Sequence, residues 1–306
     1  MMKTMMATGF DLLINTCFYL MAVAVLAGAF SSLFSEFGIV SLINSLLSPL
    51  MKPLYNMPGA ASLGMLNCYL SDNPAILTLA DDDNFRRYFR QYQLPALTNL
   101  GTAFGMGFIA TTAMMALDVK NALPAALIGN VGAIAGSIVS VRLMIYFSKK
   151  VYGTEAMVKT KGEATIPDKM REVHSGKAGF RFIQAMLQGG KSGVAMGVAI
   201  IPGVVVICTF VMMLTKGASP DGTYTGAAYE GVAFLPWLGK NLNFILKPLY
   251  GFTSPEAISV PITALGSTGA ALGMIKGMAA EGVVKANDIA VFTAICMCWS
   301  GYISTH

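Results

Sequence analysis

The chain has 306 residues, of which 55% are hydrophobic and only 12% charged, with a net charge of +5 and a mean hydropathy of +0.61. Soluble domains carry about 25% charged residues, so the composition excludes an ordinary globular protein and indicates an integral membrane protein. Cys17, Cys68, Cys208, Cys296 and Cys298 all sit in apolar segments. The Cys296-x-Cys298 pair lacks the further ligands that a metal site needs, so the five are read as structural or incidental thiols.

The first apolar run, Phe10–Ser32, is too long for a signal-peptide core and is preceded only by Lys3, so it reads as a first span. Phe37–Ala80 differs: two apolar pieces meet at a proline-rich turn, Lys52-Pro53-Leu54-Tyr55, followed by Pro58. It reads as a helical hairpin whose second arm is interrupted. Such breaks are tolerated at membrane depth only when buried in protein or lining a wet cavity. Leu94–Leu117 and Leu123–Phe147 are further spans, each long enough for about 30 Å of hydrocarbon.

Ser148–Lys191 then holds nine Lys/Arg against four acids, which accounts for the whole net charge. This is the signature of a cytoplasmic loop rather than of nucleic-acid binding. Inside it, Arg181, Gln184 and Gln188 share one helical stripe and Phe182, Ile183, Met186 and Leu187 the other. That pattern fits a short interfacial helix at Ala178–Leu187 or a solvated loop.

Gly193–Leu214 is the next span. Gly231–Met278 is a second interrupted hairpin, with Lys247-Pro248-Leu249-Tyr250 and then Pro255 repeating the earlier motif. A last span begins at Asp288. The expected fold is therefore an all-α membrane protein of two inverted-topology repeats, each with a proline-broken helical hairpin. Residues 1–147 form the first unit, 148–191 the basic loop and 192–306 the second. An odd number of crossings separates the two hairpins, which inverts them, as in several secondary transporters. Placing the basic loop inside puts the N-terminus outside. Ser304-Thr305-His306 falls within a continuing span, so a further helix is expected beyond it.

The polar residues within these segments are the site candidates. Asn67, Ser71, Asp72 and Asn73 precede Pro74. The proline biases Asn73 away from helix and removes a backbone donor, freeing polar groups. Asp72 is an acid inside a membrane segment, suited to a cation, an amine or hydroxyls. Alternatively it caps the helix that starts at Pro74. The matching stretch of the second hairpin offers Thr263, Ser267 and Thr268 between Gly266 and Gly269. Asn99, Thr102 and Asn130 face them from the spans after the first hairpin, since a buried amide needs partners. Lys52 and Lys247 either meet an anion or snorkel to the interface, and Arg142 snorkels. No phosphate loop, zinc spacing, dinucleotide fingerprint or paired nucleophile is present, so no catalytic residue or metal ligand is assigned. No cofactor is expected beyond a coupling Na+ or H+. The expected partners are the lipid bilayer, a small polar solute and further copies of the chain. The glycine pairs Gly101/Gly105, Gly132/Gly136 and Gly193/Gly197 are candidate oligomer contacts.

The stretch from Leu246-Lys-Pro-Leu-Tyr-Gly-Phe-Thr-Ser-Pro-Glu-Ala to Gly266-Ser-Thr-Gly-Ala-Ala-Leu-Gly273 resembles the nucleoside-recognition, or Gate, domain, most closely as it occurs in spore maturation protein B. Leu47–Ala75 resembles a diverged second copy, with Pro49, Pro53, Pro58, Gly59 and Pro74 in place. Where spore maturation protein A carries Asn-Ala-Ala-Thr-Pro, this chain has Ser71-Asp72-Asn73-Pro74. The whole is similar to a fusion of the two spore proteins and more distantly to concentrative nucleoside transporters. The resemblance implies a bacterial inner-membrane permease for a small polar, nucleoside-like solute, working by alternating access between the repeats. The alternatives are an accessory membrane protein acting in an oligomer, or a passive channel.

Overall fold

The computed structural model describes residues 1–71, 74–81, 83–158, 173–218 and 222–298. In chain order the helices are α1 (Met2–Glu36), α2 (Ile39–Tyr55), α3 (Ala61–Leu70), α4 (Pro74–Asp81), α5 (Leu94–Phe104) and α6 (Gly107–Met115). They continue as α7 (Ala122–Tyr152), α8 (Ala178–Thr215), α9 (Phe234–Asn241), α10 (Asn243–Tyr250), α11 (Ser259–Gly266), α12 (Thr268–Ala280) and α13 (Ala286–Cys298). Among the described residues the fold is all-helical, and only an isolated bridge, Arg90 to Met157, pairs extended backbone. Three helices, α1, α7 and α8, are long and apolar enough to cross a membrane.

Helices α1 and α8 form the closest pair. Gly28 meets Gly189, Gly193 meets Ala24 and Val25, and Gly197 meets Met21. Partner numbers fall as positions rise, so the two run antiparallel. The absent side chains let the backbones touch: a Cβ on Gly193 would lie 2.3 Å from the Ala24 carbonyl oxygen. Each helix is interrupted by a π-helical stretch, Leu12–Cys17 in α1 and Gly203–Cys208 in α8, and these stretches touch one another.

Side-chain pairs fix the two ends of the bundle. At one end Glu36, the last residue of α1, accepts from Arg181 Nε at 2.6 Å and lies 2.9 Å from His174 Nδ1. Arg90 lies 3.6 Å from Glu155 at the same end, beyond the close of α7. At the other end Lys216 pairs with Glu281 at 2.5 Å, and Lys3 donates to the Thr225 carbonyl. The first end gathers Arg86, Arg87, Arg90, Lys149, Lys150, Lys177 and Arg181. It is the cationic end.

Two helix pairs, α3–α4 and α11–α12, start at opposite ends of the bundle. Helix α3 starts beside the cationic end, where Gln93 Nε2 donates to the Asn56 carbonyl at 2.9 Å. Gly64 of α3 faces Ile76 and Leu79 of α4, so α4 doubles back along α3. In the second hairpin, Thr253 N donates to Asp288 Oδ1 at 3.2 Å at the far end, ahead of α11. Thr263 of α11 meets Met274 of α12 across Ser267, and α12 returns to Glu281. The sequence places the reversals at the Lys-Pro-Leu-Tyr turns. In the structure α4 lies back along α3, and the second hairpin reverses at Ser267. The Lys-Pro-Leu-Tyr segments instead close α2 and α10, which are amphipathic helices. Among the residues of α2 only Met51 and Tyr55 are buried, and Leu42, Ile43, Leu46 and Leu50 stay exposed. Both ends of α2 lie towards the cationic end, next to Glu36 and next to Arg142, so α2 crosses the bundle rather than running along it.

Three further expectations change. The Leu94–Leu117 span is two helices, α5 and α6, broken at Gly105–Met106, where Met106 adopts φ 55°. Ala178–Leu187 is neither a separate interfacial helix nor a loop but the first turns of α8, held by the Glu36–Arg181 pair. Two of the three glycine pairs expected at oligomer contacts are buried inside the chain, Gly101 against Ile76 and Gly193 and Gly197 against α1, whereas Gly132 and Gly136 stay exposed beside Ala294 and Cys298.

The buried side chains form two cores stacked along the bundle. One is built on α1, α6, α8 and α11–α13, the other on α2–α5 and the second half of α7. Along α7 the change falls between Ala126 and Ala133, and along α13 between Cys296 and Met297. Between α5 and α6 it falls between Phe104 and Met106. The chain break of α5–α6 and the amide of Asn130 thus share one level.

Candidate functional site

At that level the end of the first hairpin meets the α5–α6 break. The Met106 N–H donates to the Cys68 carbonyl at 3.2 Å, and Gly107 leaves room for the Tyr69 ring. From the same turn of α3, the Tyr69 hydroxyl donates to Asn130 Oδ1 at 2.9 Å. Asn130 Nδ2 donates in turn to Thr111 Oγ1 at 2.8 Å and to the Ala126 carbonyl at 2.9 Å. One amide therefore ties α3, α6 and α7 together where both cores end. A half-buried amide with every strong bond made is a rigid device, because leaving it unpaired in an apolar setting is costly.

A second polar group lies further towards the cationic end. Asn99, Thr102, Ser137, Ser140 and Cys298 line a cavity of about 40 Å³, room for one or two waters. Asn99 Nδ2 donates to Ser140 Oγ at 3.1 Å. Ser137 donates to the Ile134 carbonyl, so the Tyr55 hydroxyl, 2.7 Å away, donates to Ser137. Cys298 Sγ sits 3.2 Å from the Ala133 carbonyl, which brings the last described turn of α13 against α7.

The residues of the second hairpin are placed elsewhere. Thr263 is fully buried and donates to the Ser259 carbonyl at 2.8 Å. Ser267 is in extended backbone and caps α12 by accepting from Ala270 N at 3.2 Å, and it lies against Gly203 of the α8 π-helical stretch. Thr268 opens α12 and is buried. Asn67 and Ser71 lie in and just past the last turn of α3. Asp72 and Asn73 are outside the described residues, as are 159–172 and everything from 299 on.

The structure thus joins Asn130 to the first hairpin and Asn99 to Thr102. It places Thr263, Ser267 and Thr268 at the other hairpin's reversal. Lys52 and Lys247 are exposed. Arg142 does more than snorkel: its Nε donates to the Leu54 carbonyl at 2.6 Å and its Nη2 to the Pro53 carbonyl. It thereby satisfies the orphan carbonyls that close α2. Sequence reasoning missed Tyr69, Ser137, Ser140 and Glu36. Only Glu36 carried a readable signal, as an acid at the end of an apolar run.

No family model and no curated protein matches the chain. Among solved structures the chain is similar to CNTnw in an inward-facing substrate-bound state. The identity is 14% and the TM-score 0.47, over 95% of this chain and 76% of that one. The functional reading therefore rests on the chain's own residues.

Proposed function

We propose that this membrane protein is a secondary transporter for a small polar, nucleoside-like solute, built from two inverted repeats of the Gate type. The observation that carries the reading is that the helix pairs α3–α4 and α11–α12 start at opposite ends of the bundle, with Asn67 and Ser71 at the end of α3 and Thr263 to Thr268 where α11 meets α12. Interrupted helices of this kind place free backbone groups at membrane depth, which is where carriers bind solute. The antiparallel pairing of α1 and α8, the first helix of each unit, supports the inversion. The break between α5 and α6, beside the first reversal, supplies a further bend at which one part moves against another.

In this reading the cationic end faces the cytoplasm and the N-terminus lies outside. Asp72, with Asn73, Ser71 and Asn67, contacts the solute or a coupling Na+ or H+, while Asn99, Thr102 and Asn130 set the shape of the first half-site. Thr263, Ser267 and Thr268 supply the second. No catalytic chemistry is assigned to it. The accessory-protein alternative loses the Gly101/Gly105 and Gly193/Gly197 faces, which are buried within the chain, and keeps the exposed Gly132/Gly136 face.

The test is uptake into proteoliposomes with nucleosides, amino acids and dipeptides, each with and without sodium or a proton gradient. One class of solute should accumulate, and Asp72→Asn should abolish accumulation or its ion dependence with folding intact. Wild-type-like accumulation by Asp72→Asn would remove that residue from the mechanism.

A further inference from the structure

Of the cavities that the transport reading leaves unassigned, one borders the first half-site at Asn130. It lies between α2, α3 and α7 and holds about 240 Å³. Leu47, Leu50 and Leu54 of α2, Met65 and Leu66 of α3, and Ile134 of α7 line it. Leu50 and Ile134 are also exposed, so the cavity opens outward between α2 and α7. Its polar wall is Tyr55, Tyr69 and Asn130; the Tyr55 hydroxyl is spent on Ser137, and the Tyr69 hydroxyl and the Asn130 amide on one another and on Thr111 and Ala126. A polar solute would find little to pair with there and would bear the cost of desolvation. A hydrocarbon chain bears none.

The rim towards the cationic end carries charge. Arg142 stands about two turns beyond Ile134 on α7. Its guanidinium is exposed and holds the carbonyl of Leu54, itself a lining residue. Two of its five N–H donors serve the α2 carbonyls, which leaves the others for an anion. Lys52 is exposed in the same last turn of α2. The Lys/Arg-rich end of a membrane protein faces the leaflet that holds anionic lipid.

We propose that this cavity is a binding site for an anionic phospholipid, with one acyl chain between α2 and α7 and the phosphate on Arg142. Amphipathic α2 then lies at the interface with the lipid as part of its packing. The cavity borders the proposed first half-site at Asn130 but opens outward between α2 and α7, and it does not depend on the protein being a carrier.

The full chain carrying Leu50→Trp at the rim is reconstituted in phosphatidylcholine vesicles. These contain brominated-chain phosphatidylglycerol or, at the same mole fraction, brominated-chain phosphatidylcholine, and quenching is compared with the parent chain. The expected result is a clear preference of the new tryptophan for brominated phosphatidylglycerol. One interfacial cation contributes about 1 kcal/mol, so Arg142→Gln should cut the preference about fivefold. Arg142→Lys should keep most of it, although the α2 cap is lost in both. Ile134→Phe, which fills the cavity without touching charge, should lower quenching by both lipids. It serves as the independent test where Arg142→Gln folds poorly. Equal quenching by the two lipids, a preference indifferent to Arg142→Gln, or quenching indifferent to Ile134→Phe would each overturn the proposal.

Discussion

The amide at position 130 offers a quantitative test of how the two cores are joined. Asn130→Leu keeps the branched side-chain skeleton, in a somewhat bulkier form, and removes two interhelical hydrogen bonds, those to Tyr69 and Thr111. Interhelical bonds in membranes average about 0.6 kcal/mol each, so the variant should lose about 1.2 kcal/mol. Tyr69→Phe removes only the bond to Asn130 and should lose about 0.6 kcal/mol. Were the two independent, the double variant would lose about 1.8 kcal/mol. Because one bond is shared, it should lose about 1.2 kcal/mol, a coupling of about 0.6 kcal/mol. The assay is reversible unfolding of the four proteins in mixed micelles, followed by helical circular dichroism. Additive losses, with no coupling beyond error, would show that Tyr69 and Asn130 do not bond and would dissolve the proposed link between the first hairpin and α7.

Other consequences are simpler to read. Gly193→Leu forces a side chain into the Ala24 backbone, where even a Cβ comes within 2.3 Å. Overpacking costs about 1–3 kcal/mol at adaptable sites, and this site has backbone on both sides. The variant should therefore lose at least that much, and near-wild-type stability would contradict the antiparallel α1–α8 contact. Glu36→Gln gives up its charge towards His174 and Arg181. Limited trypsin digestion at Lys177 and Arg181 should then accelerate, and an unchanged cleavage rate would mean that Glu36 does not pin the start of α8.

Composition and apolar run length alone make the membrane class and the long helices readable, since burial in lipid requires those runs. The repeated Lys-Pro-Leu-Tyr motif marks real turns but misplaces the reversals. A proline at the start of α4 and one at the interruption of a single helix look identical in sequence, because Pro74 suits a first helical turn as well as a break. Likewise, Gly105–Met106 carries no sign of a break: glycine is common in tightly packed membrane helices, and nothing foretells a positive φ at Met106. Asn130 is legible because a buried amide needs partners. Tyr69 is not, because its aromatic ring reads as core and its partner lies 61 residues away. Arg142 is legible as a cation near a span end, but its capping of α2 depends on a contact 88 residues distant.

The opposed hairpins can be tested by which side of the membrane reaches their feet. Single cysteines replace Lys52 and Tyr88, flanking the first hairpin, and Thr253 and Glu281, flanking the second, in a chain without its native thiols. All four positions are exposed. An impermeant maleimide applied to right-side-out and inverted vesicles should label Lys52→Cys and Tyr88→Cys only from the cytoplasmic side, and Thr253→Cys and Glu281→Cys only from outside. Labelling of all four from one side, or of the two members of either pair from opposite sides, would contradict the architecture.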